Sequence, residues 1–199
     1  MKKIILSAAA VLAFGFANAQ EEQKGNAGFA KGDLFISGAV GINSESEGDE
    51  KSSGFLIEPK IGFFVTEKIA VGGKLGFASD KGENQFGGTG DTTDETTLTL
   101  GAFGRYYFTP ASQFSLFGEL GVDYSSVDNK LTDNQENEIG VGLGLGVSYF
   151  LSKNFAIEAA WAGLRYKSND NGGDGADKTD SFYLGADLRA ITLGLTYKF

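Results

Sequence analysis

After residue 32 the chain alternates between apolar and polar side chains in segments of roughly ten residues, the period of strands with two unlike faces. Leu34, Ile36, Val40 and Ile42 share one parity in the first segment, with Gly38 among them. The second carries Phe55, Ile57, Pro59, Ile61 and Phe63, the third Ile69, Val71, Gly73, Leu75 and Phe77. In the fourth the set is Leu98, Leu100, Ala102 and, past Gly104, Tyr106 and Phe108. Phe114, Leu116, Leu120, Val122 and Tyr124 mark the fifth, and Ile139, Val141, Leu143, Leu145, Val147, Tyr149 and Leu151 the sixth. The seventh opens with Phe155, Ile157, Ala159 and Trp161, and the eighth closes with Ile191, Leu193, Leu195, Tyr197 and Phe199. An even number of such segments predicts an all-β, eight-stranded antiparallel up-and-down transmembrane β-barrel.

Connection lengths alternate. Strands two and three are joined by Thr66-Glu67-Lys68, four and five by residues 109–113, six and seven by Ser152-Lys153-Asn154. The other connections, at about residues 43–53, 79–95, 125–137 and 168–181, are long and polar. Short turns on one side and long loops on the other match the periplasmic and extracellular ends of outer-membrane barrels, with both termini periplasmic. Phe63, Phe108, Phe114, Tyr149, Phe155, Tyr197 and Phe199 sit near the short turns or the C-terminus; Phe77, Tyr124 and Tyr166 sit near the long loops. The ten steps from Phe114 to Tyr124 span roughly 33 Å, or about 25 Å of height at a tilt of about 40°. That is the height of an outward apolar band, and a soluble sandwich has no reason for two aromatic belts at that spacing.

Two places break the alternation. The apolar phase shifts across Ala162-Gly163, and again between the set Phe182, Leu184, Ala186, Leu188 and the set beginning at Ile191. A bulge produces such a shift, and so do strands that rise beyond the membrane.

The opposite parity collects charge: Glu58, Lys60, Lys74, Arg105, Glu119, Asp123 and Glu158. Charge facing lipid is costly, so this face is assigned to the interior. Eight strands leave a lumen just wide enough for side chains to fill. The seven residues then either pair into a network that plugs the barrel or line a thin water path; pairing is the preferred reading, since an unpaired buried charge is costly. Gly140, Gly142, Gly144 and Gly146 form the inward set of the sixth strand. No helix and no Lys-Ser/Thr follows them, so a phosphate loop is excluded. Missing side chains there make room for bulky neighbours across the lumen, such as Arg105 or Phe117.

The start of the chain adds an export signal. Lys2 and Lys3 precede an apolar stretch at residues 4–16, and Ala17-Asn18-Ala19 fits a small-x-small cleavage site. Residues 1–19 are read as a cleaved signal peptide, 20–31 as a flexible periplasmic lead-in and 32–199 as the barrel. Composition agrees: 30 Gly, 17 Phe, 7 Tyr and only 2 Pro suit many twisted strands with aromatic positions. The formal charge of −9 becomes about −11 once Lys2 and Lys3 leave, which argues against nucleic acid as a partner.

The signal peptide, the eight alternating segments, the inward acids and bases and the final Leu193-Gly194-Leu195-Thr196-Tyr197-Lys198-Phe199 together resemble the outer-membrane β-barrel domain family. Its relatives include outer membrane protein X and the membrane domain of outer membrane protein A. The resemblance implies a partner in outer-membrane lipid and lipopolysaccharide. It also implies that Tyr197 and Phe199 form a C-terminal signal read by the barrel-assembly machinery. Because the chain stops at Phe199, no peptidoglycan-binding domain is expected.

Chemistry narrows further. The chain has no His and no Cys, so neither a Ser-His-Asp arrangement nor a Cys nucleophile can be built. Glu119 and Asp123 lie four apart on one inward face, where ion pairing is a better account than acid-base work. The long loops are acidic, with Asp170, Asp174, Asp177 and Asp180 in the last of them. Oxygen-rich loops can bind Ca²⁺, but the spacing matches no defined calcium loop, so no cofactor or metal is expected. The expected role is a non-enzymatic, monomeric surface barrel, structural or meeting an extracellular partner through its acidic loops. The alternative is a porin-like narrow pore for ions or small polar solutes.

Overall fold

The computed structural model describes residues 27–47, 50–84, 90–172, 175–185 and 192–199. The expected signal peptide at residues 1–19 lies outside them. Their strands are β1 (Leu34–Glu47), β2 (Glu50–Phe64), β3 (Ile69–Asn84), β4 (Gly90–Tyr107), β5 (Phe114–Asn129), β6 (Asn134–Phe150), β7 (Phe155–Asn169), β8 (Thr179–Leu184) and β9 (Thr192–Lys198). Strands β1 to β7 pair in sequence, each antiparallel to the next. Both β8 and β9 pair with β7, one along each half of it, so together they occupy the eighth place. From Phe35↔Lys198 to Ala39↔Gly194, β9 pairs with β1 and closes the ring. The architecture is a closed antiparallel barrel of eight strand positions.

Period-2 patterning positions every wall residue. Ile36, Val40, Ile57, Leu100, Leu120, Val122, Leu143 and Leu193 stand exposed on the outside, although each is strongly apolar. Their inward neighbours Phe35, Phe64, Phe103, Tyr107, Phe117 and Phe150 are buried. Such an inside-out surface is stable only against an apolar solvent, which is what a bilayer supplies. At the belt near the long connections, the Tyr124 hydroxyl donates to Asn137 Oδ1 at 2.6 Å and the Tyr166 hydroxyl to Asp180 Oδ1 at 3.1 Å. Amphipathic rings of this kind suit the level where hydrocarbon meets water.

Hydroxyl side chains fix the short turns. Thr66 Oγ1 accepts from the backbone amides of Lys68 and Ile69, and Ser152 Oγ from those of Asn154 and Phe155. In the third turn the Thr109 hydroxyl donates to Phe114 O. These local bonds replace the ladder where the chain reverses.

The long connections differ from the sequence expectation. Much of residues 43–53, 79–95, 125–137 and 168–181 is strand, and between β5 and β6 only residues 130–133 lie outside a ladder. These extensions are polar on both faces, so they carry no alternation; backbone pairing holds them together with side-chain bonds such as Asn129 to Glu95 and Asn169 to Glu136. Of the two phase shifts, the first is a bulge. Leu143 pairs with Leu164 and Gly144 with Ala162, leaving Gly163 as the extra residue on β7. The second falls at residues 186–191, outside the described residues. The β2–β3 ladder skips Glu58 and Pro59 without losing register, as a residue with no N–H requires.

Residues 27–31, the end of the expected flexible lead-in, are seated in the barrel instead; residues 20–26 lie outside the described residues. Phe29 is 2% exposed. Its amide donates to Pro110 O at 2.7 Å, and Lys198 Nζ donates to Gly28 O at 2.6 Å. A single aromatic side chain finds a ready apolar socket there, and burying it outweighs the entropy of ordering a few residues.

Candidate functional site

The barrel interior has two layers, each built by inward residues of successive strands. Nearest the short turns lies an aromatic floor. Phe29 stacks on Phe64 with ring centroids 4.7 Å apart and meets Phe150 edge-on at 4.8 Å. Phe35 and Tyr107 flank it, and Tyr107 continues to Phe117 at 5.2 Å. Each such ring pair adds about 0.5–1.5 kcal/mol to the gain from burial. Glycines on adjacent strands make the room. A Cβ on Gly62 would sit 2.2 Å from the Phe35 ring, and one on Gly146 would sit 2.3 Å from the Phe117 ring. Gly146 does accommodate Phe117, but as its ladder partner on the adjacent strand and not from across the lumen as expected.

Above the floor the structure brings all seven predicted interior charges into one chain. Asp123 contacts Lys74 at 2.9 Å, and Lys74 reaches Glu58 at 3.8 Å. Glu58 contacts Lys60 at 3.3 Å, and Lys60 meets Glu119 at 3.0 Å. Glu119 pairs with Arg105, whose Nη1 lies 3.0 Å from Glu158 Oε2. Acid and base alternate along the whole run, so no two like charges are consecutive. The arrangement resolves a conflict set by register: Lys60 and Lys74 are direct cross-strand partners, which would repel. Glu58 bridges them, while Glu119 and Asp123 each hold one. Gly101 leaves the space for the Lys74–Asp123 contact, since a Cβ there would lie 2.1 Å from Asp123 Oδ1.

Arg105 joins the two layers. It is 3% exposed, donates to the Tyr107 hydroxyl at 3.1 Å and lies 4.4 Å above the Phe117 ring. A planar guanidinium can stack on a ring and still offer its edge to two carboxylates, which an ammonium cannot.

The charge layer lines the inner end of a cavity of about 540 Å³ that extends toward the long connections. Thr97, Thr99, Ser125, Glu138, Arg165 and Lys167 are among its walls. Of these, the sequence reading did not identify Glu138, Arg165 and Lys167 as interior charges. Lys167 Nζ pairs with Glu138 Oε1 at 2.7 Å, and Arg165 sits beside Gly142. The available signal was the phase shift at Ala162-Gly163: read as a bulge, it turns residues 165 and 167 inward. The described residues hold no group of His, Cys, Asp and Glu that would grip a metal ion. Tyr197 and Phe199, the predicted assembly signal, project outward, with ring centroids 5.0 Å apart and Tyr197 also edge-on to Phe155.

Comparison with known proteins places this geometry. The sequence model of the outer membrane protein beta-barrel domain matches residues 6–199. No curated protein matches the chain. Among solved structures it is similar to the outer membrane protein OprG of Pseudomonas aeruginosa, at 17% identity over 86% of this chain and 98% of that one, with a TM-score of 0.53. The N-terminal β-barrel domain of Pseudomonas aeruginosa OprF gives 17% identity, coverage of 86% and 100%, and a TM-score of 0.47. Neisserial surface protein A gives 20%, coverage of 83% and 97%, and 0.46.

Proposed function

The chain belongs to the outer membrane protein β-barrel domain family, and from that premise we propose that it is a non-enzymatic barrel with a plugged interior, serving a structural or surface-interaction role. The observation that carries this reading is the unbroken acid-base chain from Asp123 to Glu158 lying on a buried aromatic floor. Every charge in that chain has a partner, so the layer can stand across the lumen without leaving an ion unpaired. In this reading the leader is removed after Ala19, and both termini and the short turns face the periplasm. The acidic long connections face outward, toward lipopolysaccharide and any extracellular partner, and the barrel acts as a monomer. Tyr197 and Phe199 serve as the signal for the barrel-assembly machinery. A chain with neither His nor Cys supports a role without catalysis.

The cavity above the charge layer favours a second reading, a narrow pore whose constriction is the charge layer itself. Planar-bilayer conductance of the refolded mature protein separates the two, measured beside a Glu119→Gln, Lys74→Gln double variant. The plugged barrel gives no reproducible channels. Steady channels whose ion selectivity changes in the double variant would establish the pore.

A further inference from the structure

The two kinds of inward glycine differ in what stands against them. Gly62, Gly101 and Gly146 are filled by Phe35, by the Lys74–Asp123 pair and by Phe117, so packing demands them. Gly140 and Gly142 are not demanded in this way. A Cβ on Gly142 would meet only Leu164 O, at 3.8 Å, and one on Gly140 would come no nearer than 3.8 Å to any atom. Both positions border the cavity, and an apolar side chain there would fill it at ordinary contact distances. The sequence thus leaves open a volume that it had room to close.

Charge in the same place balances in number, five acids against five bases, but not in pairing. Ten ionisable acids and bases line the cavity: Glu58, Lys60, Lys74, Arg105, Glu119, Asp123, Glu138, Glu158, Arg165 and Lys167. Nine of these are held in ion pairs. Arg165 alone makes none among the described residues; its ladder partners are Gly142, which offers no side chain, and Tyr183, which offers no charge. The bulge at Gly163 is what turns it inward. An unpaired guanidinium presents a flat fork of N–H donors suited to two oxygens of one carboxylate or phosphate. Hydroxyls of Thr97, Thr99 and Ser125 line the same space and can bond the rest of a polar molecule.

We propose that the cavity is a blind cup for a small anionic solute, whose carboxylate or phosphate is held by Arg165 in the space left by Gly140 and Gly142. The inference rests on the plugged reading, because a sealed floor makes the cup fill and empty only at the end of the long connections.

The test uses the refolded mature protein in detergent free of lipopolysaccharide, with inorganic phosphate and succinate as probes at constant ionic strength. The chain has three arginines, Arg105, Arg165 and Arg189, so the side-chain Nε–H resonance of Arg165 is assigned by its loss in Arg165→Gln. A saturable shift of that resonance is expected, with a Kd on the order of 1 mM or tighter, while the Arg105 resonance stays in place. Gly142→Leu fills the cup and weakens binding at least about tenfold while the barrel keeps its heat-modifiable band on a gel. Gly140→Val provides the same test from the neighbouring inward position if the first variant misfolds. No saturable shift, or equal binding in the filled variants, overturns the proposal. The second outcome would place the anion at the rim, where a lipid phosphate offers the same chemistry. Conductance of the same sample separates the failures: channels with an intact Arg165 shift defeat the plugged reading and the blind end of the cup while keeping the anion site, and silence without a shift defeats the anion site while keeping the plug.

Discussion

Arg105 on β4 reaches Glu158 on β7 across the interior, with its Nη1 3.0 Å from Oε2 and 3.2 Å from Oε1 of the same carboxylate. Both residues are less than a tenth exposed. A buried pair of this kind adds little net stability over a well-packed apolar pair, because desolvation offsets the attraction. Removing one partner is a different matter. Arg105→Met leaves Glu158 without an ion-pair partner and Glu119 with only Lys60. We expect it to destabilise the barrel by about 3–5 kcal/mol. Urea unfolding in lipid vesicles, followed through Trp161 fluorescence, measures the loss. A change within about 0.5 kcal/mol would mean that water already solvates this layer.

The glycine contrast gives a paired prediction. Gly146→Ala and Gly62→Ala drive a methyl into the Phe117 and Phe35 rings, and overpacking of this sort costs about 1–3 kcal/mol. Gly140→Ala meets nothing closer than 3.8 Å and changes stability by about 0.5 kcal/mol or less. The three variants are compared by denaturant midpoint at equal slope. Equal costs at all three positions would show that strand propensity rather than lumen packing sets the requirement for glycine.

Much of this arrangement is written in the alternation. Each outward apolar set from Leu34 to Phe199 reads directly, because one parity must satisfy lipid and the other must not. The seven inward charges follow from the same rule. Their order in the chain does not, since which acid meets which base depends on the height at which each strand crosses, and Lys60 lies level with Lys74 only in the folded register. Arg165 and Lys167 were hidden by one extra residue, Gly163, which reverses parity for everything after it on β7. Phe29 was hidden for the opposite reason: a lone aromatic in a short polar segment has no period to reveal where it packs.

Phe29 is the side chain that caps the floor. Phe29→Ala removes the ring between Phe64 and Phe150, and Gly28→Val clashes with Pro110 O, which stands 2.5 Å from any Cβ at that position. Either change should release the segment before β1, seen as faster hydrogen exchange of the residue 29 amide, now bonded to Pro110 O. Conductance should remain silent, because the Arg105 layer closes the lumen independently. Channels appearing in Phe29→Ala alone would make this segment, not the charge layer, the plug.

Acid should act first at the outer end of β6 and β7. Asp170 accepts hydrogen bonds from the Asn137 amide at 2.7 Å, from Asn137 Nδ2 at 2.9 Å and from the Gly172 amide at 3.1 Å. The bonds from Asn137, the backbone one above all, hold its carboxyl below the usual carboxylate range. The sign follows from the ionised form being the bonded one. A depressed pKa in the folded state contributes stability above the unfolded value of about 3.9, and that contribution fades as pH falls through the folded value. Between neutral pH and about pH 5 the Asn137 and Gly172 amides should therefore stay protected. As pH falls below the usual carboxylate range, through the depressed folded value, they should lose protection relative to their intrinsic exchange rates and shift together, while amides in the barrel wall, such as that of Leu143, stay protected. Asp170→Asn keeps an acceptor oxygen but loses the charge, so it should show the loosened amides at neutral pH and no further change with acid. Native amides that lose protection only together with the barrel wall, or an Asn variant that titrates like the native protein, would place the acid-sensitive group elsewhere.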